Sequence, residues 1–375
     1  PHPGPREVQY PCSTYVRCVG EAWPLTQDRA RLEAQALIEE ARHCPAHVPK
    51  VWKYDGTMKT IVMHYIEPPH IILRKGLCAG TVYPKLAEHM AEFMAATLFS
   101  TSRLAMSDTA FRQASAMGAN AEMCKITELV IFTEPYGIAS NNRHTTPQLD
   151  STVAALREDA EAKVAISELK TKFVEKAEAY LHGDLHTGSM MCTQESTQVI
   201  DPEFAYYGPI GFDVGSFLAN LLMAYFAQDG HATATDDRSK FRAWLSQCIV
   251  DTWQLFATKF LTRWSERAAA GGENSAYPAL LFGQVAGGQA ALAAAQSALM
   301  AEVFRDTLGF CGAEIIRRTV GIAHVEDLES IQDPEVRAAC ERRAIKLART
   351  LLVLKDKACP DIKAVVVAAD AQRQS

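Results

Sequence analysis

Two short acidic motifs between Tyr180 and Glu203 constrain this sequence more than any other feature. The segment reads YLHGDLHTGSMMCTQESTQVIDPE, with H-G-D-L-H near one end and I-D-P-E at the other. The residues Gln198 to Ile200 are typical of a β-strand, so the second motif follows a strand at a turn fixed by Pro202. Carboxylates in two such loops suit phosphoryl transfer, because that reaction needs an oriented hydroxyl and neutralised phosphate charge.

Four polar side chains of this segment have a predicted role in such a reaction. Asp184 can accept the proton of the attacking hydroxyl. Asp201 and Glu203 supply hard oxygen ligands for Mg²⁺. Ser189 stands five residues after Asp184, where a kinase catalytic loop carries a metal-binding Asn, and its hydroxyl can ligate only weakly or through water.

Each motif taken singly also has a purely structural interpretation. An Asp beside Gly, like Asp184 beside Gly183, is more often a turn former than a base, and Asp-Pro is ordinary turn chemistry. We expect His182 and His186 to hold the loop by hydrogen bonds. The joint pattern is what favours catalysis.

Composition favours a small partner and excludes several function classes. The formal net charge of −6 argues against a nucleic-acid footprint and against an anionic membrane surface. The ten cysteines form no C-x-x-C pair, which favours reduced thiols in a cytosol. No stretch reaches the roughly 20 apolar residues that cross a bilayer, and the Ala-rich stretch 285–301 is interpreted as a buried, close-packed helix.

The secondary-structure pattern changes along the chain from mixed to mainly helical. It predicts a small unit of strands and one helix, followed by long helices. We expect three parts: a nucleotide-binding lobe over residues 1–70, a helical catalytic and substrate lobe over 71–357, and a loosely held tail over 358–375. The predicted elements are strands at 15–19, 48–52 and 60–66, and helices at 27–43, 83–100, 151–180 and throughout about 211–354, with a turn-rich stretch between the second and third helices.

The sequence HGDLHTGS followed by VIDPEFAYYGPIGFDVGSFLANLL resembles methylthioribose kinases, a family within the aminoglycoside-phosphotransferase and choline-kinase-like group of small-molecule kinases. The resemblance extends from about Tyr15 to Lys357. It implies an α+β, bilobal protein-kinase-like fold, with an incomplete strand-rich N-lobe and a mainly helical C-lobe. The other segments that carry it are YVRCVGEAWPLTQDRARLEAQAL, HCPAHVPKVW, EPPHIILRKGL, FTEPYG, NRHTTPQLD and EIIRRTVGIAHVEDLESI.

The resemblance also implies an activity. The family transfers phosphate from ATP to 5-methylthioribose, a step of methionine salvage that yields 5-methylthioribose 1-phosphate. Asp184 is then the base at the anomeric hydroxyl, and Asp201 with Glu203 lies where other kinases place the D-F-G aspartate. ATP, Mg²⁺ and a small sugar are the expected ligands, and a cytoplasmic homodimer is the expected form.

Further residues receive roles from the same resemblance. His64, Tyr65 and Ile66 lie at the hinge, where backbone groups hold the adenine. Pro202 joins the two predicted metal ligands. Glu33 matches the helix glutamate that pairs with the nucleotide-binding lysine. Arg317 and Arg318 match a substrate-contacting pair, with forked donors where negative charge develops, although such a pair seen alone is as often a solvated helix end.

One part of the family pattern is missing from the printed sequence. Such kinases have a Gly-rich phosphate loop and a strand Lys, whose position falls on Tyr10 here. No Lys precedes Lys50, and Gly4 stands alone among prolines. We expect that the sequence is incomplete at its N-terminus, and the alternative is a catalytically impaired pseudokinase.

Three other functions stay open at this point. One is a different small-molecule kinase of the same fold. A second is a phosphohydrolase in which the H-G-D-L-H residues converge on a metal, with Asp229-Gly230-His231 as a poor further ligand motif. The third is a sugar-binding module without phosphate chemistry.

Overall fold

The computed structural model of the chain describes residues 7–11, 15–16, 20–24, 26–270, 276–283 and 285–374. The strands are β1 (Glu7–Pro11), β2 (Tyr15–Val16), β3 (Gly20–Pro24), β4 (Val51–Asp55), β5 (Thr60–His64), β6 (Ile71–Ile72), β7 (Ala179–Leu181), β8 (Met190–Cys192), β9 (Thr197–Val199) and β10 (Tyr206–Gly208). The helices of the first half are α1 (Arg29–His43), α2 (Leu73–Ala79), α3 (Leu86–Ser100), α4 (Asp108–Met117), α5 (Ala121–Phe132), α6 (Asp150–Glu158) and α7 (Ala160–Glu175). Those of the second half are α8 (Ile210–His231), α9 (Ser239–Ala269), α10 (Ala279–Phe282), α11 (Gly288–Val320), α12 (Glu326–Glu329), α13 (Pro334–Arg349), α14 (Lys355–Ala358) and α15 (Ile362–Gln374).

The N-terminal part is built on an antiparallel sheet in the order β1-β5-β4. The turn between β4 and β5 is fixed by Asp55, whose Oδ1 accepts hydrogen bonds from the backbone N–H groups of Thr57 and Met58, both at 3.0 Å. This is the hairpin that the Asp-Gly sequence predicts. Helix α1 packs beside the sheet and buries Leu37 completely.

Two small antiparallel sheets hold the acidic segment. Strand β7 pairs with β10, and β6, β8 and β9 form a second sheet in that order. The loop 182–189 therefore leaves one sheet and enters the other. Strand β6 begins five residues after the last predicted hinge residue, Ile66, and pairs with β8, with Ile72 opposite Met191. The segment after the hinge and the segment after the loop therefore share a sheet.

The helical part is organised around α8. Its residues from Ile210 to Gln228 are all buried, and it packs against α11, α13 and α9. Its length and hydropathy would suit a membrane span, but the whole apolar window is buried inside the protein. Helix α8 is therefore the core helix of the helical part, and an aromatic cluster of Phe132, Phe173, Phe212 and Phe310 extends this core.

The structure differs from several sequence expectations. The predicted helix over 151–180 is two helices and a strand, because Asp159 breaks it and caps α7 by accepting from the N–H of Ala162 at 3.0 Å. The turn-rich stretch contains α4 and α5. The expectation of a loosely held tail is wrong for α15, which buries Ile362 and Val365. The Ala-rich start of α11 is mostly exposed, and burial becomes continuous only later in that helix.

Candidate active site

The loop 182–189 is anchored at its start by Asp213 of α8. The Asp213 carboxylate accepts a hydrogen bond from the His182 N–H at 2.7 Å and another from the Gly183 N–H at 3.0 Å, one on each oxygen. The carboxyl group is buried, and this desolvation raises its pKa to about 7. The Asp213 carboxyl group therefore serves as the acceptor for two backbone N–H groups that would otherwise be buried without a partner.

Glycine is required at the second position of this loop. Gly183 has φ of +85°, in the left-handed region that side chains disfavour. A Cβ at this position would lie 2.2 Å from the Phe204 carbonyl oxygen. The absence of a side chain at Gly183 therefore allows the loop backbone just before Asp184 to pack against the backbone of Phe204.

Asp184 lies in a cage of cationic and neutral donors. Its Oδ1 accepts from Arg317 Nη1 and from Arg318 Nη2, each at 3.1 Å. Its Oδ2 lies 3.3 Å from His186 Nε2. Although burial opposes the charge, these groups hold the pKa of the Asp184 carboxyl well below its usual range. Asp184 is therefore ionised at neutral pH, in a fixed orientation.

The two arginines are themselves positioned by a buried acid, Glu314. All three lie on the last turns of α11, and Glu314 is 2% exposed. Its two oxygens accept from Arg318 Nε at 2.6 Å and from Arg317 Nη1 at 3.1 Å. The spacing of three and four residues puts all three side chains on one face of the helix. The solvated-pair interpretation of the arginines is therefore wrong.

The histidines of the loop act as hydrogen-bonding groups, as predicted. The N–H of Gly188 donates to His186 Nδ1 at 3.0 Å, so His186 Nε2 carries the proton and faces Asp184. His182 Nε2 contacts the Ile200 carbonyl oxygen at 3.0 Å, and burial lowers the pKa of His182 to about 4. Burial also lowers the pKa of His186, which favours the neutral ring.

Ser189 is engaged inside the loop. It is buried, and its hydroxyl lies 3.2 Å from the Asp184 carbonyl oxygen and 3.1 Å from His186 Nδ1. Both contacts of the Ser189 hydroxyl are with residues of the loop itself, so they stabilise the loop conformation. A role of Ser189 as a metal ligand stays a prediction.

Glu33, Asp201 and Glu203 form a second acidic group. Each of the three offers a carboxylate oxygen, and these oxygens lie within 4.8 Å of one another. Asp201 has φ of +68°, a conformation rare outside glycine that turns the chain sharply after β9. Arg29, one helical turn before Glu33, contacts the Glu203 carboxylate, and Asn120 donates to the Glu203 carbonyl oxygen at 3.0 Å.

The donor set of this group fits Mg²⁺. Carboxylate oxygens are the protein ligands that Mg²⁺ takes, in ones and twos, together with water and phosphate oxygens. Among the residues that the structure describes, these three are the group of His, Cys, Asp and Glu side chains close enough to share a cation. Asp201 and Glu203 thus lie together, as predicted, and Glu33 joins them.

The predicted hinge lies at the end of β5. The His64 N–H donates to the Lys50 carbonyl oxygen at 2.8 Å, which ties the hinge to the segment before β4. A cavity of about 500 Å³ adjoins this segment and is lined by His64 and Ile66 together with Lys50 and Gln198. Tyr65 is 38% exposed. The predicted lysine position, Tyr10, is in β1 opposite Ile61, but its side chain and Gly4 lie outside the described residues.

The metal-cluster interpretation of H-G-D-L-H finds no support in the described part of the chain. His182 points to a backbone carbonyl, whereas His186 and Asp184 contact each other. Asp229 is held by Arg242, Arg343 and Arg373. The acidic group that could bind a metal draws on I-D-P-E instead.

Sequence reasoning missed Asp213 and Glu314. Each is a lone acid within a helical run of apolar residues, GFDVGSFLANLL for Asp213 and GFCGAEIIRRTV for Glu314. Acids are almost never fully buried unless they are paired. Such isolated acids, one of them three and four residues before the twin arginines, were the available signal.

Known proteins share both the sequence and the fold. Residues 24–244 match the model of the Phosphotransferase enzyme family. Methylthioribose kinase 1 from Oryza sativa subsp. japonica is 52% identical over 339 residues, which is 90% of this chain and 77% of the relative. Methylthioribose kinase from Escherichia coli is 42% identical over 342 residues, 90% of this chain and 80% of the relative.

A solved structure of a glucosamine kinase has a similar fold. It superposes with a TM-score of 0.50 at 14% identity, over 94% of this chain and 76% of that one. The predicted α+β, kinase-like fold is confirmed by this likeness and by the family match. With half of its residues shared with a rice relative over nearly its whole length, the chain belongs to the methylthioribose kinase family.

Proposed function

We propose that the chain transfers the γ-phosphoryl group of ATP to the anomeric hydroxyl of 5-methylthioribose, a step of methionine salvage. The products are ADP and 5-methylthioribose 1-phosphate. The observation that carries the proposal is the cage around Asp184, in which one ionised carboxylate is fixed by Arg317, Arg318 and His186. The identity of the substrate is inferred from the relatives named methylthioribose kinase.

Asp184 orients the sugar hydroxyl and receives its proton. The bond between the sugar oxygen and the γ-phosphorus forms as the bond to the β-phosphate oxygen breaks. Because its pKa is lowered, Asp184 is a weak base and takes up the proton late, when the hydroxyl oxygen has already bonded to phosphorus. This suits a loose transition state that needs positioning more than proton abstraction.

Arg317 and Arg318 contact the sugar and stabilise developing negative charge. Both guanidinium groups are nearly buried, so their charge acts in a medium of low dielectric constant. Glu314 keeps them beside Asp184 in the absence of substrate. We infer that the sugar oxygens share these donors with the Asp184 carboxylate when substrate binds.

Asp201, Glu203 and Glu33 would hold the magnesium ion that accompanies ATP. Bound there, Mg²⁺ would neutralise phosphate charge during transfer. The chain's own contribution is the sharp turn at Asp201 and the Arg29 contact that orients Glu203. The backbone of His64, Tyr65 and Ile66 would hold the adenine.

The lobe division, location and assembly are further parts of this proposal. We infer an N-terminal nucleotide lobe, a helical substrate lobe and a cytoplasmic enzyme. Eight cysteines in the described ranges are free thiols, which supports a reducing compartment. A homodimer is inferred from family resemblance, and light scattering on the purified chain tests it directly.

One assay tests the activity against its alternatives. The purified chain is incubated with Mg-ATP and 5-methylthioribose, and ADP is followed beside reactions with choline, glucosamine and an aminoglycoside. We expect ADP with methylthioribose alone. ADP with another acceptor indicates a different small-molecule kinase, whereas sugar binding without ADP indicates a pseudokinase or binding module.

A pair of variants ties that activity to the site. Arg318→Met removes the charge beside Asp184, and we expect kcat/KM for the sugar to fall by about 100-fold, as for a lost donor to developing charge. Arg349→Met is the matched control, because Arg349 pairs with Asp159 and Glu161 elsewhere on the surface. Equal activity of both variants would remove the arginine pair from the proposed site.

A further inference from the structure

We propose that Arg74 is a positioning residue that holds the second half of the catalytic loop and ties it to α8 and α12. This inference rests on the proposed function. Arg74 is the second residue of α2, directly after β6 and eight residues after the hinge residue Ile66. Sequence reasoning gave it no role.

Arg74 holds the loop through both its backbone and its side chain. Its backbone N–H donates to the Thr187 carbonyl oxygen at 3.0 Å, and its Nε donates to the Thr187 hydroxyl at 3.2 Å. A Cβ on Gly188 would lie 3.0 Å from Arg74 Nη1, so the guanidinium packs directly on the loop backbone. Two successive loop residues are thereby fixed by one side chain.

The same guanidinium is fixed from behind by two other elements. Its Nη2 donates to Asn220 Oδ1 on α8 at 2.9 Å, and its Nε lies 3.2 Å from Asp327 Oδ2 on α12. Asn220 is oriented by its own bond to the Ser216 carbonyl oxygen at 2.9 Å. Asp327 is 2% exposed and follows Arg318 by nine residues.

The loop is therefore clamped at both ends. Asp213 fixes the backbone of His182 and Gly183. Arg74 donates to the carbonyl oxygen and to the hydroxyl of Thr187, and its guanidinium packs on Gly188. Asp184 lies between the two clamps. A base that acts by orientation depends on both, because a displacement of about 1 Å in a catalytic group can cost roughly 100-fold in rate.

The Arg74→Lys variant tests whether the side chain at position 74 acts by its hydrogen-bonding geometry or only by its positive charge. Arg74→Lys keeps a cation for Asp327, but a single ammonium group cannot reach Asn220, Asp327 and Thr187 together. We expect kcat to fall 10- to 100-fold, while the melting temperature and the affinity for ADP stay within the experimental range of the wild type. Thr187→Val, which removes only the hydroxyl, is expected to lower kcat about 3-fold.

Arg242→Lys is the matched control. Arg242 is similarly buried and bridges Asp229 and the Asp237 carbonyl oxygen, away from the loop. Steady-state kinetics for ATP and the sugar, with ADP binding and thermal melting, are measured for all three variants. If Arg74→Lys unfolds, Thr187→Val carries the test, and a wild-type kcat in Thr187→Val then overturns the proposal.

Hydrogen exchange makes the test independent of the proposed activity. Amide exchange of a peptide covering residues 182–192 is compared between wild type and Arg74→Lys by mass spectrometry. We expect faster exchange at the loop in Arg74→Lys and not in Arg242→Lys. Unchanged exchange together with unchanged kcat would overturn the positioning role, whereas a wild type that makes no sugar phosphate overturns the proposed function alone.

Discussion

The two acidic centres of this protein are built in opposite ways. Asp184 is a single carboxylate with two guanidinium groups at 3.1 Å from one of its oxygens. The second centre brings the oxygens of Glu33, Asp201 and Glu203 within 4.8 Å of one another. The first arrangement holds one negative charge still, and the second offers three carboxylates that fit a cation. The comparison teaches that the ratio of cationic to acidic groups differs between the centres, since one acid faces two guanidinium groups in the first, whereas Arg29 contacts one of three acids in the second.

The largest effect is expected at the first centre. Asp184→Asn keeps the size of the side chain but removes the proton acceptor, so we expect kcat to fall about 1,000-fold, within the range for general base catalysis. Binding of ADP and the melting temperature should change far less than kcat. Asp150→Asn, at a surface site beside His144, is the control. A near wild-type rate for Asp184→Asn would contradict the assigned role.

The second centre is expected to respond to metal instead. Asp201→Asn replaces a charged ligand by a neutral one, so the magnesium concentration for half-maximal rate should rise by at least about 10-fold. Excess Mg²⁺ should recover part of the rate of Asp201→Asn and none of that of Asp184→Asn. Measured magnesium titrations that are alike in the two variants would break the distinction between the centres.

A smaller effect is expected from pH, through Asp213. Its pKa of about 7 lies above the unfolded value of about 3.9, so its contribution to stability is present at low pH and is lost as pH rises through about 7. Asp184, with a lowered pKa, contributes stability above about 3.9 that is lost as pH falls through its folded value.

The same pKa should be visible in the rate. Protonation of Asp213 weakens one of its two bonds to the loop, so kcat should decline as pH falls from about 8 to about 6. The measurement is a kcat profile against pH for wild type and Asp213→Asn. In the variant we expect a lower rate without this acidic limb. An identical limb in both proteins would assign it to another group.

The smallest effect is expected at the hinge. His64 would contribute only its backbone to adenine binding, so His64→Ala should change KM for ATP by no more than the roughly twofold that a 0.5 kcal/mol surface effect gives. Lys50→Ala, across the same cavity, is a suitable companion. A large rise in KM for His64→Ala alone would show that the side chain binds nucleotide.

Much of the site could be predicted from the sequence, because its residues are contiguous. Asp184, Asp201 and Glu203 are found in one segment, and the two strands between Asp184 and Asp201, β8 and β9, fix their loops. Arg317 and Arg318 came from family resemblance, since nothing local shows that they face a loop 133 residues earlier in the chain. Asp213 and Arg74 could not be predicted because their partners are distant in sequence. Glu314 had a local signal in the arginines three and four residues later, but nothing local shows that these three side chains lie beside Asp184.

The fold was predictable in class and less so in detail. The Asp55 hairpin and α1 follow local turn and helix signals. The break between α6 and α7 at Asp159 could not be predicted from local signals, because an acid in a helical pattern is equally a surface residue or an N-cap. The contact with Arg349 that favours the N-cap comes from α13, far along the chain. The helix Ile362–Gln374 is stabilised by burial of Ile362, Val365 and Ala369, which composition alone does not show.

Phosphorus NMR of the complete reaction is the most direct measurement. Wild type and Asp184→Asn are each incubated with Mg-ATP and an excess of 5-methylthioribose, and the phosphorus signals are followed to completion. We expect wild type to convert the γ-phosphate signal into one sugar 1-phosphate signal with equimolar ADP, and Asp184→Asn to leave ATP intact on the same time scale. Release of inorganic phosphate without a sugar phosphate, or equal conversion by the variant, would contradict transfer to the sugar at Asp184.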